Sequence, residues 1–232
     1  DEDMAKYALI YYMAQDKSGL DVDNDSLIRI AYDWYGEHQD DSLYATALYY
    51  MGKCFLLNDS MEQAKECLEK SYSISDSLHN MNVKCLALDK LIEVEEQLAP
   101  YKALKYAKAL VKMYESMPNV SIYNKVAAHL SLGETFFSVD SLQQTLEEEE
   151  KAYRLAKQVD DRNLLSYVRQ NLASSFEEMG EKDSCLYYAR QAYDLTAANR
   201  FSCLLTLASA YISVDSINQA FRLLKQATPK TA

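Results

Sequence analysis

One spacing pattern recurs along this chain and limits what it can fold into. A small residue follows a large apolar one at Met51-Gly52, Leu132-Gly133, Leu172-Ala173 and Leu207-Ala208. Three residues after each small residue comes an aromatic: Phe55, Phe136, Phe176 and Tyr211. Twelve residues after it stands Ala64, Thr145, Cys185 or Ala220, and seven further on Ser71, Ala152, Ala192 or Ala227. Leu48, Met51, Phe55 and then Ala64, Leu68, Tyr72 fall at the i, i+3, i+4, i+7 spacings of an amphipathic helix. The unit is therefore a pair of helices. Small residues let helix A and helix B approach closely, and the aromatic fills the space beside them.

The interval is 40 residues from Gly133 to Ala173 and 35 from Ala173 to Ala208. The 81 residues between Gly52 and Gly133 leave room for a further, degenerate pair. Its helix A is expected near Met81–Gln97 and its helix B near Pro100–Met117, with Leu91 in place of the small residue and Ala103 and Ala107 retained. Pro100 suits a first helical turn, where its missing N–H costs nothing, and Pro118 ends that helix. N-D-S-M-E-Q-A (58–64), V-D-S-L-Q-Q-T (139–145) and V-D-S-I-N-Q-A (214–220) each open a helix B. Their Ser60/Gln63, Ser141/Gln144 and Ser216/Gln219 have capping-box spacing. N-D-S-L-I-R-I (24–30) lies 34 residues before the first of these and reveals an N-terminal pair, near Met4–Gln15 and Asp25–Glu37. Six pairs are thus expected, at about 2–38, 40–78, 80–117, 122–158, 161–198 and 200–227, in one domain over 1–232. Only 5 Gly and 3 Pro in 232 residues argue against strands joined by tight turns.

These anchors resemble the tetratricopeptide repeat (TPR), whose helix pair carries Leu-Gly, Tyr, Ala and Ala at these offsets. The resemblance implies an all-α fold, a right-handed α-α superhelix. A narrower likeness covers the first 75 residues, through A-K-Y-A-L-I-Y-Y-M-A-Q-D-K-S-G-L-D-V-D-N-D-S-L-I-R-I-A-Y-D-W-Y and A-L-Y-Y-M-G-K. It resembles bacterial envelope TPR proteins, in which a lipoprotein or secretory signal precedes the repeats. A membrane helix, a coiled coil and sometimes a helix-turn-helix follow them. That likeness implies an exported, periplasm-facing sensor or adaptor. A first residue of Asp is expected of a segment cut from a longer product.

The residues argue against chemistry. His38, His79 and His129 share no helix face at metal-ligand spacing, and the five cysteines form no C-x-x-C. A Cys54–Cys67 bridge is open to an exported protein; unpaired cysteines suit a cytoplasmic one. Glu147–Glu150 reads as a solvated acidic face near a helix start rather than a calcium loop, with Glu149 at a normally apolar position that loosens the packing. No phosphate-binding glycine loop or nucleophile motif is present. No catalytic residue, cofactor or metal is assigned, and the chain reads as a non-enzyme. A net charge of −11 disfavours nucleic acid. No uncharged apolar run reaches the ~18 residues of a membrane span.

The expected function is protein–protein interaction. The 19 tyrosines suit it, since Tyr offers large contact area at low entropy cost. In TPR arrays the concave surface is lined by helix A. Carried over residue by residue, the resemblance places Tyr49, Lys53 and Leu56 of the second pair on that surface. The fourth and fifth pairs contribute Leu130, Phe137, Tyr167 and Gln170, and the sixth Leu205. Equivalent positions are expected to stack into one strip. Among them only Lys53 is basic, so an apolar helix or extended segment fits better than a peptide carboxylate. Two alternatives stay open: a cytoplasmic adaptor or assembly factor, and a small-ligand (peptide or sugar) sensor.

Overall fold

The structure, a computed structural model, describes residues 1–38, 40–195 and 200–227. Those residues form twelve α-helices and no strand. They pair as α1 (Glu2–Lys17) with α2 (Ser26–Glu37), α3 (Asp41–Leu57) with α4 (Met61–Ser77), and α5 (Met81–Leu98) with α6 (Pro100–Ser116). Then come α7 (Ile122–Phe137) with α8 (Leu142–Ala156), α9 (Arg162–Glu178) with α10 (Lys182–Leu195), and α11 (Arg200–Ser213) with α12 (Ile217–Ala227). The fold is the all-α, TPR-like solenoid that the spacings imply, and the degenerate third pair is present with its proline in the first turn of α6. The end of the expected fifth pair, 196–198, lies outside the described residues, as does the side chain of Ala227.

Two compact units divide the chain, Asp1–Met113 and Tyr114–Ala232. The core of the first draws Leu9, Tyr12, Ile28, Leu48, Met51 and Leu68 from α1 to α4 into full burial, with Leu88, Leu91 and Ile92 of α5 equally enclosed. In the second, Val126, Ala152, Val168, Leu172, Cys185 and Ala189 are inaccessible. Every anchor with a described side chain is in the interior or against it.

A polar bond clamps two of the pairs at the same place. Ser71 of α4 donates its hydroxyl to Ala45 O of α3 at 2.7 Å. In the fifth pair, Ser166 of α9 donates to Ala192 O of α10 at 2.8 Å. Ala45 and Ser166 occupy equivalent positions, as do Ser71 and Ala192, so the bond is kept with donor and acceptor helices exchanged. Each joins a buried hydroxyl to a carbonyl that the helix ladder leaves with a spare lone pair.

The helix starts differ from expectation. Side-chain caps sit on helix A instead of helix B. Asp40 accepts from Leu43 N (3.1 Å), Asn80 from Val83 N (3.3 Å), Ser121 from Asn124 N (3.2 Å) and Asp161 from Leu164 N (3.0 Å). Ser60 and Ser141 occupy the N-cap positions of α4 and α8 but make no capping bond. The D-S pair terminates the preceding helix. Asp59, Asp140 and Asp215 have φ of 55°, 57° and 57°. Ser60 N bonds Phe55 O at 2.8 Å while Asp59 N bonds Leu56 O at 3.1 Å. The same two bonds recur at Ser141/Asp140 and Ser216/Asp215. This is a Schellman turn, with the left-handed place held by Asp. Gly19 and Gly180, with φ of 68° and 73°, hold it in the first and fifth pairs. The serine belongs to both helices, and its dihedrals satisfy the turn instead of the cap.

Ser60→Ala and Ser141→Ala should therefore shift stability by no more than about 0.5 kcal/mol, below the ~1 kcal/mol of a working N-cap. Asp140→Gly, which removes the left-handed penalty, should be neutral or stabilising, and Asp140→Val should cost about 1 kcal/mol or more. Urea melts of the four variants check both statements; a full cap-sized loss at either serine would restore the capping box.

Candidate functional site

In the first unit the expected surface is largely closed. Tyr49 is 2% exposed, in the same apolar cluster as Leu9 and Tyr12 of α1 and edge-on to Tyr50 at 4.9 Å. The ring is core rather than groove. Lys53 is held by Asp16 at 2.5 Å and Asp21 at 3.6 Å. Its charge is spent within the unit. Leu56 is half-buried against the same cluster. The hollow beside Lys53, between Tyr12, Asp16 and Tyr50, amounts to about 10 Å³, too small for more than a water.

The second unit is open. Between α7, α8 and α9 lies a pocket of about 190 Å³ that gathers Leu130, Phe137 and Tyr167 of the expected set. Phe137 is 43% exposed and Tyr167 49%, while Leu130 is buried. The rings thus form the rim. Beneath them Thr145, Glu149 and Ser175 form the base, all three buried. Gln170 points elsewhere in this unit: its amide donates to the hydroxyls of Ser202 and Thr206, tying α9 to α11. Leu205, at 46% exposed, lies on α11 outside the pocket.

The base contains what sequence reasoning undervalued. Of the run Glu147–Glu150, only the outer two glutamates are solvated. A helix of 3.6 residues per turn turns the middle two inward. Glu148 accepts from Lys151 at 2.7 Å and pairs with His129 Nδ1 of α7 at 2.7 Å, so the third histidine is a buried structural partner. Glu149 takes the place that Leu68 fills in the second pair. One of its oxygens accepts from the Ser175 hydroxyl at 2.9 Å, and the other, Oε2, is buried with no partner. Burial pushes its carboxyl up to about 7, the Ser175 bond pulling weakly the other way. The signal was an acid at an apolar repeat position; its partner Ser175 becomes visible only once α9 is packed on α8.

Leucine and glutamate leave different room at the same point. A methyl group added at Gly52 would sit 2.7 Å from Leu68 Cγ, but one added at Gly133 would meet Glu149 Cγ at 3.4 Å, ordinary contact. The looser packing expected of the fourth pair is real, and it is where the pocket opens. Among the described residues no His, Cys, Asp or Glu cluster is arranged to hold a metal ion, and no helix is long and apolar enough to cross a membrane. All five cysteines are free thiols; burial raises Cys54, Cys67 and Cys185 to about 11, which leaves them unreactive.

Paired helices with small crossing residues and a rim of exposed rings define a TPR-like repeat module. No family profile matches the sequence, and no curated protein is similar to it. Similar solved structures carry the same fold at low identity. The nearly identical TPR-like repeats assigned to a kinesin light chain of Podosopora anserina are 15% identical over 80% of this chain and 93% of that one, with a TM-score of 0.68. RapI, in its apo form, is 13% identical over 87% of this chain and 58% of its own, with a TM-score of 0.74. NprR in complex with its cognate peptide NprX is 14% identical over 97% and 66%, with a TM-score of 0.67.

Replacing Glu149 with Leu restores the residue type of the second pair and should raise stability by roughly 1–3 kcal/mol at pH 8. The sign with pH follows from linkage. An acid whose folded value rises from 4.5 to about 7 favours the fold below 4.5, and that contribution is lost as pH climbs through about 7. Urea melts from pH 4.5 to 8 should show this decline in the parent and its absence in Glu149→Leu. Gly133→Ala should be neutral or stabilising, while Gly52→Ala should cost about 1–3 kcal/mol through overpacking.

Proposed function

We propose that this chain is a non-enzymatic protein- and peptide-binding scaffold whose working surface in the second unit is the pocket between α7, α8 and α9. The observation that carries this reading is the pairing of exposed Phe137 and Tyr167 over a hollow whose base is buried. Aromatic rings at the mouth of a preformed pocket are the usual anchors of a bound segment. The fold it shares with peptide-bound NprR supports the same class of partner. The likeness of the first 75 residues to envelope TPR proteins supports a finer proposal: a periplasm-facing sensor or adaptor of a bacterial envelope-anchored regulator. Cell fractionation with external protease in the native host tests that location.

The scaffold reading is tested by selecting ligands from a random displayed-peptide library on the purified protein. Selected peptides should bind the parent and lose at least tenfold in affinity to Tyr167→Ala and Phe137→Ala. Both variants should melt within about 0.5 kcal/mol of the parent, because both rings are half exposed. Failure to enrich any peptide, or binding indifferent to both rings, removes this surface from the function.

A further inference from the structure

The chemistry of the pocket is one-sided. Three carboxyl groups line it: Glu134 from α7, Glu149 from α8 and Glu178 from α9. No lysine or arginine does. The nearby basic side chains are engaged: Lys151 is bound by Glu148, and His129 is turned to the same carboxylate. Glu149 is 6% exposed and Oε2 has no hydrogen-bond partner. A half-paired carboxyl in the interior costs stability, at a position where leucine packs better in the sibling repeat. Stability forgone at a single position of a repeat is a mark of binding function.

Resting on the scaffold reading, we infer that this pocket binds the side chain of a lysine in the partner segment, its ammonium seated on Glu149 Oε2 and its alkyl stem against Phe137 and Leu130. The layout matches that side chain from end to end. Rings at the rim face an apolar stem, and a cation entering past Phe137 and Tyr167 meets their negative faces. At the base, the oxygens of Thr145 and Ser175 retain acceptor lone pairs, since each hydroxyl spends its proton elsewhere, on Gly133 O and Glu149 Oε1. An ammonium has three donors to place among three acceptors. A planar guanidinium is served less well, because Ser175 already occupies one of the two oxygens its fork requires. The cavity, at about 190 Å³, is of a size that suits one long side chain.

Seating a cation there draws the Glu149 proton out. Burial opposes ionisation of Glu149, Glu134 and Glu178 are the other carboxyl groups that line the pocket, and the incoming ammonium supplies the compensating charge. Affinity for lysine should then be flat above pH 7 and fall about tenfold for each pH unit below it.

The test uses Nα-acetyl-lysine methylamide as probe, titrated into the intact chain and followed by NMR on Phe137 and Tyr167. Saturable shifts are expected at pH 8, at least tenfold weaker at pH 6. Nα-acetyl-norleucine methylamide, which keeps the alkyl stem but lacks the ammonium, should give none, and the arginine analogue a weaker response. Glu149→Leu and Glu149→Gln should lose at least tenfold in lysine affinity, with melting temperatures no lower than the parent. Equal binding of norleucine, or full lysine binding by Glu149→Leu, overturns the assignment. Selected peptides that need Phe137 and Tyr167 but contain no obligatory lysine would leave the scaffold standing without its lysine anchor. A lysine response with no selectable peptide would do the reverse.

Discussion

Two helices come close only where one lacks a side chain to hold them apart. Gly52 against Leu68 is the tightest instance: there is no room for even a methyl group between them. That closeness brings Ala64 and Leu68 under α3 and places Ser71 within 2.7 Å of the Ala45 carbonyl. It also leaves the aromatic three residues on, Phe55, at the edge of the contact, where its carbonyl closes the turn into the next helix through Ser60 N. Small residue, aromatic and turn are therefore one device. The helix pair closes sharply because its ends are near, and its ends are near because the crossing point is bare.

The fourth pair departs from this device at one residue and gains a hollow. Glu149 fills the leucine position incompletely, so Gly133 has slack that Gly52 lacks. The neighbouring acid Glu148 is fully engaged by His129 and Lys151, whereas Glu149 has a single hydroxyl partner. Two adjacent glutamates thus have different physical fates. One is a satisfied buried pair, and the other a group poised near neutrality.

A second buried acid, Glu95, also has one oxygen, Oε2, without a hydrogen-bond partner, but its charge is compensated. Glu95 of α5 is inaccessible, yet Lys102 at 2.6 Å and Lys65 at 3.1 Å flank one of its oxygens. Burial pushes its carboxyl up, but the two ammonium groups outweigh that and hold it below the usual range. Lys102 also reaches Glu69 at 2.9 Å, extending the network to α4. The charge of Glu95 in the first unit is thus met within the chain. Glu149 in the second is in no ion pair among the described residues, one of its oxygens has no hydrogen-bond partner, and it lines a hollow between α7, α8 and α9.

Periodicity by itself determined the helix pairs, their order and the helix-facing anchors, because close packing of two helices demands small residues at fixed offsets. Leu91, Ala103 and Ala107 were legible in the degenerate pair for that reason, and all three are fully enclosed. The D-S motifs were visible but ambiguous: one serine is both the end of one helix and the start of the next, and only backbone dihedrals assign it to the turn. Tyr49 and Phe137 look alike in sequence, each on the inner side of a helix A. Whether a ring is core or surface depends on how the adjoining helices pack, and Tyr49 is enclosed in the first unit's core while Phe137 stands over a hollow. Glu149 read as a packing fault because a sequence shows the missing leucine but not the Ser175 hydroxyl, the empty volume or the unpaired oxygen. Those belong to three helices at once, and only tertiary packing brings them within bonding distance.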